Sequence, residues 1–184
     1  VPAKVAAMRA LGAEVRIVPG GYGEAEQAAL DFTANSQAAW VSPYNDGQII
    51  AGQATVGLEI LEDLPDVQDF ICLVPAGGGG LLSGMSAFLV ETGGTARHIS
   101  ISGVQSTASP FMHSLYYHHH QQGVVELPSL ADGLAGPVQP GSLTIPIIQR
   151  YCHEIILVSE AEIARAIAYA WEHYAQKIEG SAAA

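Results

Sequence analysis

The chain has 184 residues, 49% hydrophobic and 14% charged, which is enough apolar substance for one domain or slightly more. No uninterrupted apolar run is long enough to cross a membrane. Seven Lys and Arg stand against 18 Asp and Glu, a formal net charge of −11, which repels phosphate backbones and anionic membrane surfaces and argues against nonspecific nucleic-acid binding.

Val5, Met8 and Leu11 recur at helical spacing and are followed by Gly12, a residue suited to the left-handed cap, so the chain should open with a helix. Ala13 to Val18 alternates apolar and charged residues and predicts a strand. Pro19-Gly20-Gly21 then turns the chain into a second helix, with Ala25, Ala28, Ala29 and Phe32 along one face. Ala38 to Val41 reads as a short strand that ends in Ser42-Pro43-Tyr44-Asn45-Asp46-Gly47, a loop dense in turn formers. A third helix is expected from Gln48 to Leu61, with Ile49, Gln53, Val56 and Ile60 on one stripe.

Asp69 to Val74 is nearly continuous apolar sequence, the pattern of a parallel strand buried on both faces. It leads into Gly77-Gly78-Gly79-Gly80 and then a small-residue helix from Leu81 to Glu91. Ile99 to Val104 alternates as a strand does, and a less regular stretch follows, in which Ser106-Thr107 and Ser109-Pro110 read as the N-terminal turn of the next helix and which holds Tyr116-Tyr117-His118-His119-His120. Ile155 to Val158 is the last strand. Ser159 and Glu162 have capping-box spacing, so a final helix should begin at Glu160 and carry Ile163, Ile167, Ala170 and Trp171 inward. Strands and helices in this alternation predict an α/β fold with an open, mostly parallel sheet and helices on both faces.

Cys72 lies in an apolar run and Cys152 beside Tyr151 and His153, neither with a second Cys at metal-ligand spacing. They read as reduced cysteines of an intracellular, cytoplasmic protein. With no start Met, no signal-peptide pattern and no terminal signal, both ends look cut, and a fragment of a larger protein is expected.

The four glycines are the strongest chemical signal. A strand that enters such a loop and continues into a helix presents backbone N–H groups at a positive helix end, with no Cβ to hold a phosphate away. A Walker loop would need Lys and Ser or Thr after the last glycine, where Leu81-Leu82 stands. A dinucleotide fingerprint would need a third glycine in register, where Leu82 or Ser83 stands, and an acid near the end of the next strand, which closes with Val104-Gln105. The alternative without a ligand is a tight strand-to-helix turn.

Pro2, Lys4, Arg9 and Gly12-Ala13-Glu14-Val15 open a series of motifs that continues with Ile50-Ala51-Gly52-Gln53 and Gly57-Leu58-Glu59-Ile60-Leu61. Val74-Pro75-Ala76-Gly77-Gly78-Gly79-Gly80-Leu81, Ala131-Asp132-Gly133, Val158 to Ile163 and Glu179-Gly180-Ser181-Ala182 complete it. In this order they resemble the pyridoxal-phosphate-dependent serine/threonine dehydratase family over nearly the whole chain. The all-glycine loop is more similar to the threonine dehydratase and serine racemase branch than to the sulfhydrylase branch.

The resemblance implies the two-lobed tryptophan synthase β-like fold, with residues 1–41 the remnant of the smaller lobe and 42–184 most of the larger, cofactor-phosphate-binding lobe. It implies pyridoxal 5'-phosphate as cofactor, Gly77, Gly78, Gly79, Gly80 and Leu81 at its phosphate, and Asp132, Gly133 and Glu179 bordering it. No catalytic residue is assigned in this chain: the lysine that links to the cofactor belongs to a family segment absent here. Lys4 matches a later part of the pattern and Lys177 only precedes Glu179-Gly180. Gln105 falls near a glutamate that binds a divalent cation in many relatives; a neutral amide is a poor ligand for a hard cation, so no metal is assigned and Gln105 is expected to be a surface or lobe-edge amide. Adjacent residues point different ways, so His118 to His120 read as a polar edge rather than a metal site.

The function expected is that of an ammonia-lyase acting on L-threonine or L-serine, present here as a fragment inactive by itself. The alternatives are a catalytically silent phosphate-ligand binding or assembly module and an amino-acid racemase of the same family. No nucleic-acid or membrane partner is expected. Uncovered sheet edges predict a homo-oligomer or association with the missing segments.

Overall fold

The computed structural model describes residues 2–93 and 98–184. They form two compact units, one ending at Trp40 and one running from Val41 to Ala184.

The first unit holds helices α1 (Pro2–Ala10) and α2 (Tyr22–Ala34). Gly12, at φ +86°, takes the left-handed conformation just after α1, as its position suggests. The start of α2 is fixed by Glu24, which accepts a hydrogen bond from the Gly21 N–H at 2.9 Å. Neither helix buries a residue. The strands expected over Ala13–Val18 and Ala38–Val41 do not form; both segments are irregular. A strand needs a neighbour to complete its hydrogen bonds, and among the described residues neither segment has one.

In the second unit, strands β1 (Asp69–Pro75), β2 (His98–Ser106) and β3 (Glu154–Val158) form a parallel sheet in that order. Helices α3 (Gly47–Asp63) and α4 (Gly80–Gly93) flank β1 in the chain, α5 (Phe111–His118) and α6 (Thr144–Tyr151) lie between β2 and β3, and α7 (Glu160–Tyr174) follows β3. Asp46 caps α3 by accepting from the N–H groups of Gln48 and Ile49. The small residues of α4 let it approach α3 closely: a Cβ on Gly84 would overlap the backbone of Ile50 and Ala54.

A Cβ on Gly103 would press on Leu82 of α4. Val74 and Ile155, in register with Gly103, therefore face α4 as well. This side is the core, with Leu82, Leu89, Val74, Ile101, Met112, Ile148 and Ile155 all buried.

Three local expectations need correction. Among the described residues β1 is an edge strand, and its other face leaves Ile71 71% and Leu73 60% exposed, so it is not buried on both sides. The helix expected after Ser109-Pro110 is present as α5, whose Phe111, Met112, Ser114 and Leu115 are buried at helical spacing, but the less regular stretch beyond it also contains α6. The predicted cap of α7 is present, with the Ser159 N–H donating to Glu162 Oε2 at 2.8 Å. Ile163 is buried as expected, but Trp171 is 54% exposed. Eight residues of helix rotate it by about 80° from Ile163, off the buried stripe. Among the described residues, no helix is long and apolar enough to cross a membrane.

Candidate functional site

The glycine segment lies where β1 ends and α4 begins. Ala76 closes the strand by donating its N–H to the Val104 carbonyl at 2.8 Å. Gly79 then takes φ +90°, a backbone angle that side-chain-bearing residues rarely adopt. The first internal bond of α4 runs from the Ser83 N–H to the Gly79 carbonyl, at 2.8 Å. The N–H groups of Gly80, Leu81 and Leu82 precede it and have no carbonyl partner within the helix, at the positive end of its dipole.

Carbonyls and side chains brace the loop from behind. Thr144 Oγ1 donates to the Gly78 carbonyl at 2.8 Å and sits 2.8 Å from Ser142 Oγ. Ser83 Oγ donates to the Thr144 carbonyl. Tyr44, from the Ser42–Gly47 loop, lays its ring on the Cα side of Gly78 and its own backbone and Cβ against Gly80. Its hydroxyl accepts from the Gln139 N–H at 2.8 Å, while Asn45 bonds both Gln139 and the Leu143 N–H. The sequence pointed to neither Tyr44 nor Thr144; only the turn-rich composition around Tyr44 hinted at a structured loop.

The four glycines are thus required by packing as well as by any ligand. A Cβ on Gly78 would run into Tyr44, and one on Gly79 would lie 2.6 Å from Ile148 and 2.8 Å from Met112. A valine at either position would report on these clashes first. The side chains nearest the glycines, from Tyr44, Met112, Thr144 and Ile148, carry no charge. Amides at a helix start that have no carbonyl partner within the helix, with no acidic neighbour among these side chains, suit an anion rich in oxygen, such as a phosphate.

The structure also brings the remaining predicted site residues together. Asp132–Leu134 is a short 3-10 turn. Its Leu134 backbone lies 3.1 Å from where a Gly77 Cβ would be. The Gly133 N–H donates to Ser181 Oγ at 3.2 Å, which joins this turn to a second one, Gly180–Ala182. Gly180 is buried so tightly against the Leu130 carbonyl that a Cβ would overlap it. Gly77, Gly133 and the start of the Glu179–Ser181 segment therefore share one neighbourhood; Asp132 and Glu179 are exposed there, and Leu81 is half-buried.

Gln105 departs from expectation. It is not a surface amide but only 1% exposed. Its Oε1 accepts from the His113 N–H at 2.9 Å, and its Nε2 has no partner among the described residues. Its carbonyl oxygen is thus committed to α5. His118, His119 and His120 are exposed at the end of that helix, with the His118 and His120 rings 6.3 Å apart. Burial pushes the Cys72 and Cys152 thiols up, which leaves both poor nucleophiles.

A family profile described as pyridoxal-phosphate-dependent enzymes matches residues 1–184. The chain is 39% identical over 180 residues to an L-threonine ammonia-lyase of Thermotoga maritima, covering 98% of this chain and 43% of that protein. It thus spans less than half the length of this relative. Among solved structures, the processed form of threonine deaminase isoform 2 from Solanum lycopersicum superposes with a TM-score of 0.85 at 28% identity, covering 100% of this chain and 52% of that one. Serine racemase from Dictyostelium discoideum superposes with a TM-score of 0.79 at 29% identity, covering 100% of this chain and 56% of that one.

Proposed function

This chain belongs to the pyridoxal-phosphate-dependent enzyme family and shares its tryptophan synthase β-like fold, and we propose that the protein it forms part of is an ammonia-lyase for L-threonine or L-serine. The observation that carries this reading is the 39% identity to an L-threonine ammonia-lyase across nearly the whole chain.

In this reading the N–H groups of Gly77 to Gly80, with those of Leu81 and Leu82, bind the cofactor phosphate, and the α4 dipole adds to the attraction. Thr144 and Tyr44 keep the loop in the shape that aims those groups. Asp132, Gly133 and Glu179 border the cofactor from the two joined turns. When bound, pyridoxal phosphate draws electron density from the substrate's α-carbon, so that the α-proton and the β-hydroxyl can leave. The covalently linked lysine is assigned to a segment outside these 184 residues. Lys177 has its Nζ 5.6 Å from the Trp171 ring centroid, and Lys4 belongs to α1. By itself the chain is therefore expected to be inactive. We assign the protein to the cytoplasm and expect it to associate with a second copy or with the segments that complete its sheet.

Serine racemase similarity supports a second reading, in which the same cofactor site inverts an amino acid. The full-length protein with pyridoxal phosphate and L-threonine or L-serine separates them. Oxo acid and ammonia formed in equal amounts support the lyase, and D-serine formed from L-serine without oxo acid supports the racemase. Bound cofactor with neither product would leave a silent binding module and overturn both.

A further inference from the structure

Glu160, the first residue of α7, gathers hydrogen bonds from two distant parts of the chain. Oε1 accepts from Ser106 Oγ, at the end of β2, at 2.5 Å and from Ser129 Oγ at 2.7 Å. Oε2 accepts from the Leu130 N–H at 2.6 Å. A hydroxyl can reverse its bond, but a backbone N–H can only donate, so the Leu130 contact requires an acceptor at this position.

The same few residues reach the glycine loop. The Leu130 carbonyl presses on Gly180, and Ala131, next in the chain, is buried, its N–H donating to Ser129 Oγ at 3.0 Å. The Leu134 N–H donates to the Ala131 carbonyl at 2.9 Å, and the Leu134 backbone meets Gly77. A series of hydrogen bonds and close contacts thus runs from the carboxylate of Glu160 to the first glycine.

We propose that Glu160 is a positioning residue for the cofactor site: its carboxylate fixes Ser129–Ala131, and through them seats the Asp132–Leu134 turn against Gly77 and Gly133 against Ser181. This rests on the reading that the glycine loop holds pyridoxal phosphate. The ionised form is the one the surroundings favour. Burial pushes the Glu160 carboxyl up, but the bonds from Ser106, Leu130 and Ser129 outweigh it and hold the group below the usual carboxylate range.

Glu160→Gln keeps the shape and turns an NH2 donor toward either the hydroxyls or the Leu130 N–H. Glu162→Gln is the matched control. It removes a carboxylate on the same helical turn whose bonds stay within α7 and its cap, to Ser159 and Arg165. In the full-length protein, Glu160→Gln should weaken pyridoxal phosphate binding roughly tenfold, the scale of a lost hydrogen bond to a charged group. It should also shift the phosphorus NMR resonance of the bound cofactor and speed amide exchange across Leu130–Leu134. Glu162→Gln should lower thermal stability and leave all three readouts unchanged. Ser129→Ala, which keeps the Leu130 bond, should move them in the same direction by less, and it decides the matter if Glu160→Gln does not fold.

Unchanged exchange and an unchanged phosphorus resonance in Glu160→Gln would overturn the proposal, as would equal effects from Glu162→Gln. If the wild-type full-length protein binds no pyridoxal phosphate, the proposed function fails, and exchange across Leu130–Leu134 alone judges the role of Glu160.

Discussion

The unit that ends at Trp40 and the unit that begins at Val41 carry similar sequence patterns and treat them differently. Ala13–Val18 alternates as clearly as Ile99–Val104, yet the first segment is irregular and the second is the middle strand of a sheet. The difference lies in neighbours. β2 is hydrogen-bonded on both sides, by β1 and β3, whereas Ala13–Val18 has no paired strand among the described residues and leaves Ile17 67% exposed. Alternation states which faces a strand would have, and a strand forms only where another chain segment completes its ladder.

The sharpest way to break this contrast is to separate two packed elements of the second unit. Gly84→Val places a branched side chain against the backbone of Ile50 and Ala54, which cannot yield as a flexible side chain would. The expected loss is about 3 kcal/mol or more, seen as a drop in the urea midpoint. A midpoint within error of wild type would mean that α3 and α4 are not held together as described.

Next in size is a pH effect. Because the folded-state pKa of Glu160 lies below its ordinary value, its contribution to stability is present above the ordinary glutamate range. It is lost as pH falls through the folded value. Between about pH 5 and pH 3, stability of the wild type should fall more steeply than that of Glu160→Gln. Parallel slopes would remove the three hydrogen bonds from the account.

The smallest effect sharpens the contrast from the other side. Ile17→Ala, in the unpaired segment, should change stability by no more than about 0.5 kcal/mol, as expected at an exposed position without packing. A loss of about 2 kcal/mol or more, the size expected of a core truncation, would show that this segment is covered in the full-length protein.

The same contrast explains what the sequence disclosed. Hydrophobic period and caps located α3, β1, α4, β2, β3 and α7, because each depends on residues within a few positions of one another; the Ser159–Glu162 box is such a case. Strand pairing and site walls depend on distant residues. Tyr44 lies against glycines more than 30 positions away, and Glu160 bonds residues 30 to 54 positions away. Neither leaves a local pattern. α6 was hidden for a different reason: of its eight residues only Thr144 and Ile148 are buried, too short a stripe to show a helical period. The glycine loop was legible because four adjacent glycines are costly unless backbone geometry or close approach requires them. What the sequence did not disclose is that protein packing already uses the space their side chains would fill.

The central claim, that the start of α4 with its glycine loop holds the cofactor phosphate, is tested most directly by a crystal structure of the full-length protein grown with pyridoxal phosphate. The expected result is phosphate oxygens about 2.7–3.2 Å from the amide nitrogens of the Gly77–Leu82 segment, with Tyr44 and Thr144 still against the loop. Cofactor phosphate bound elsewhere, with these amides donating to protein carbonyls, would contradict it.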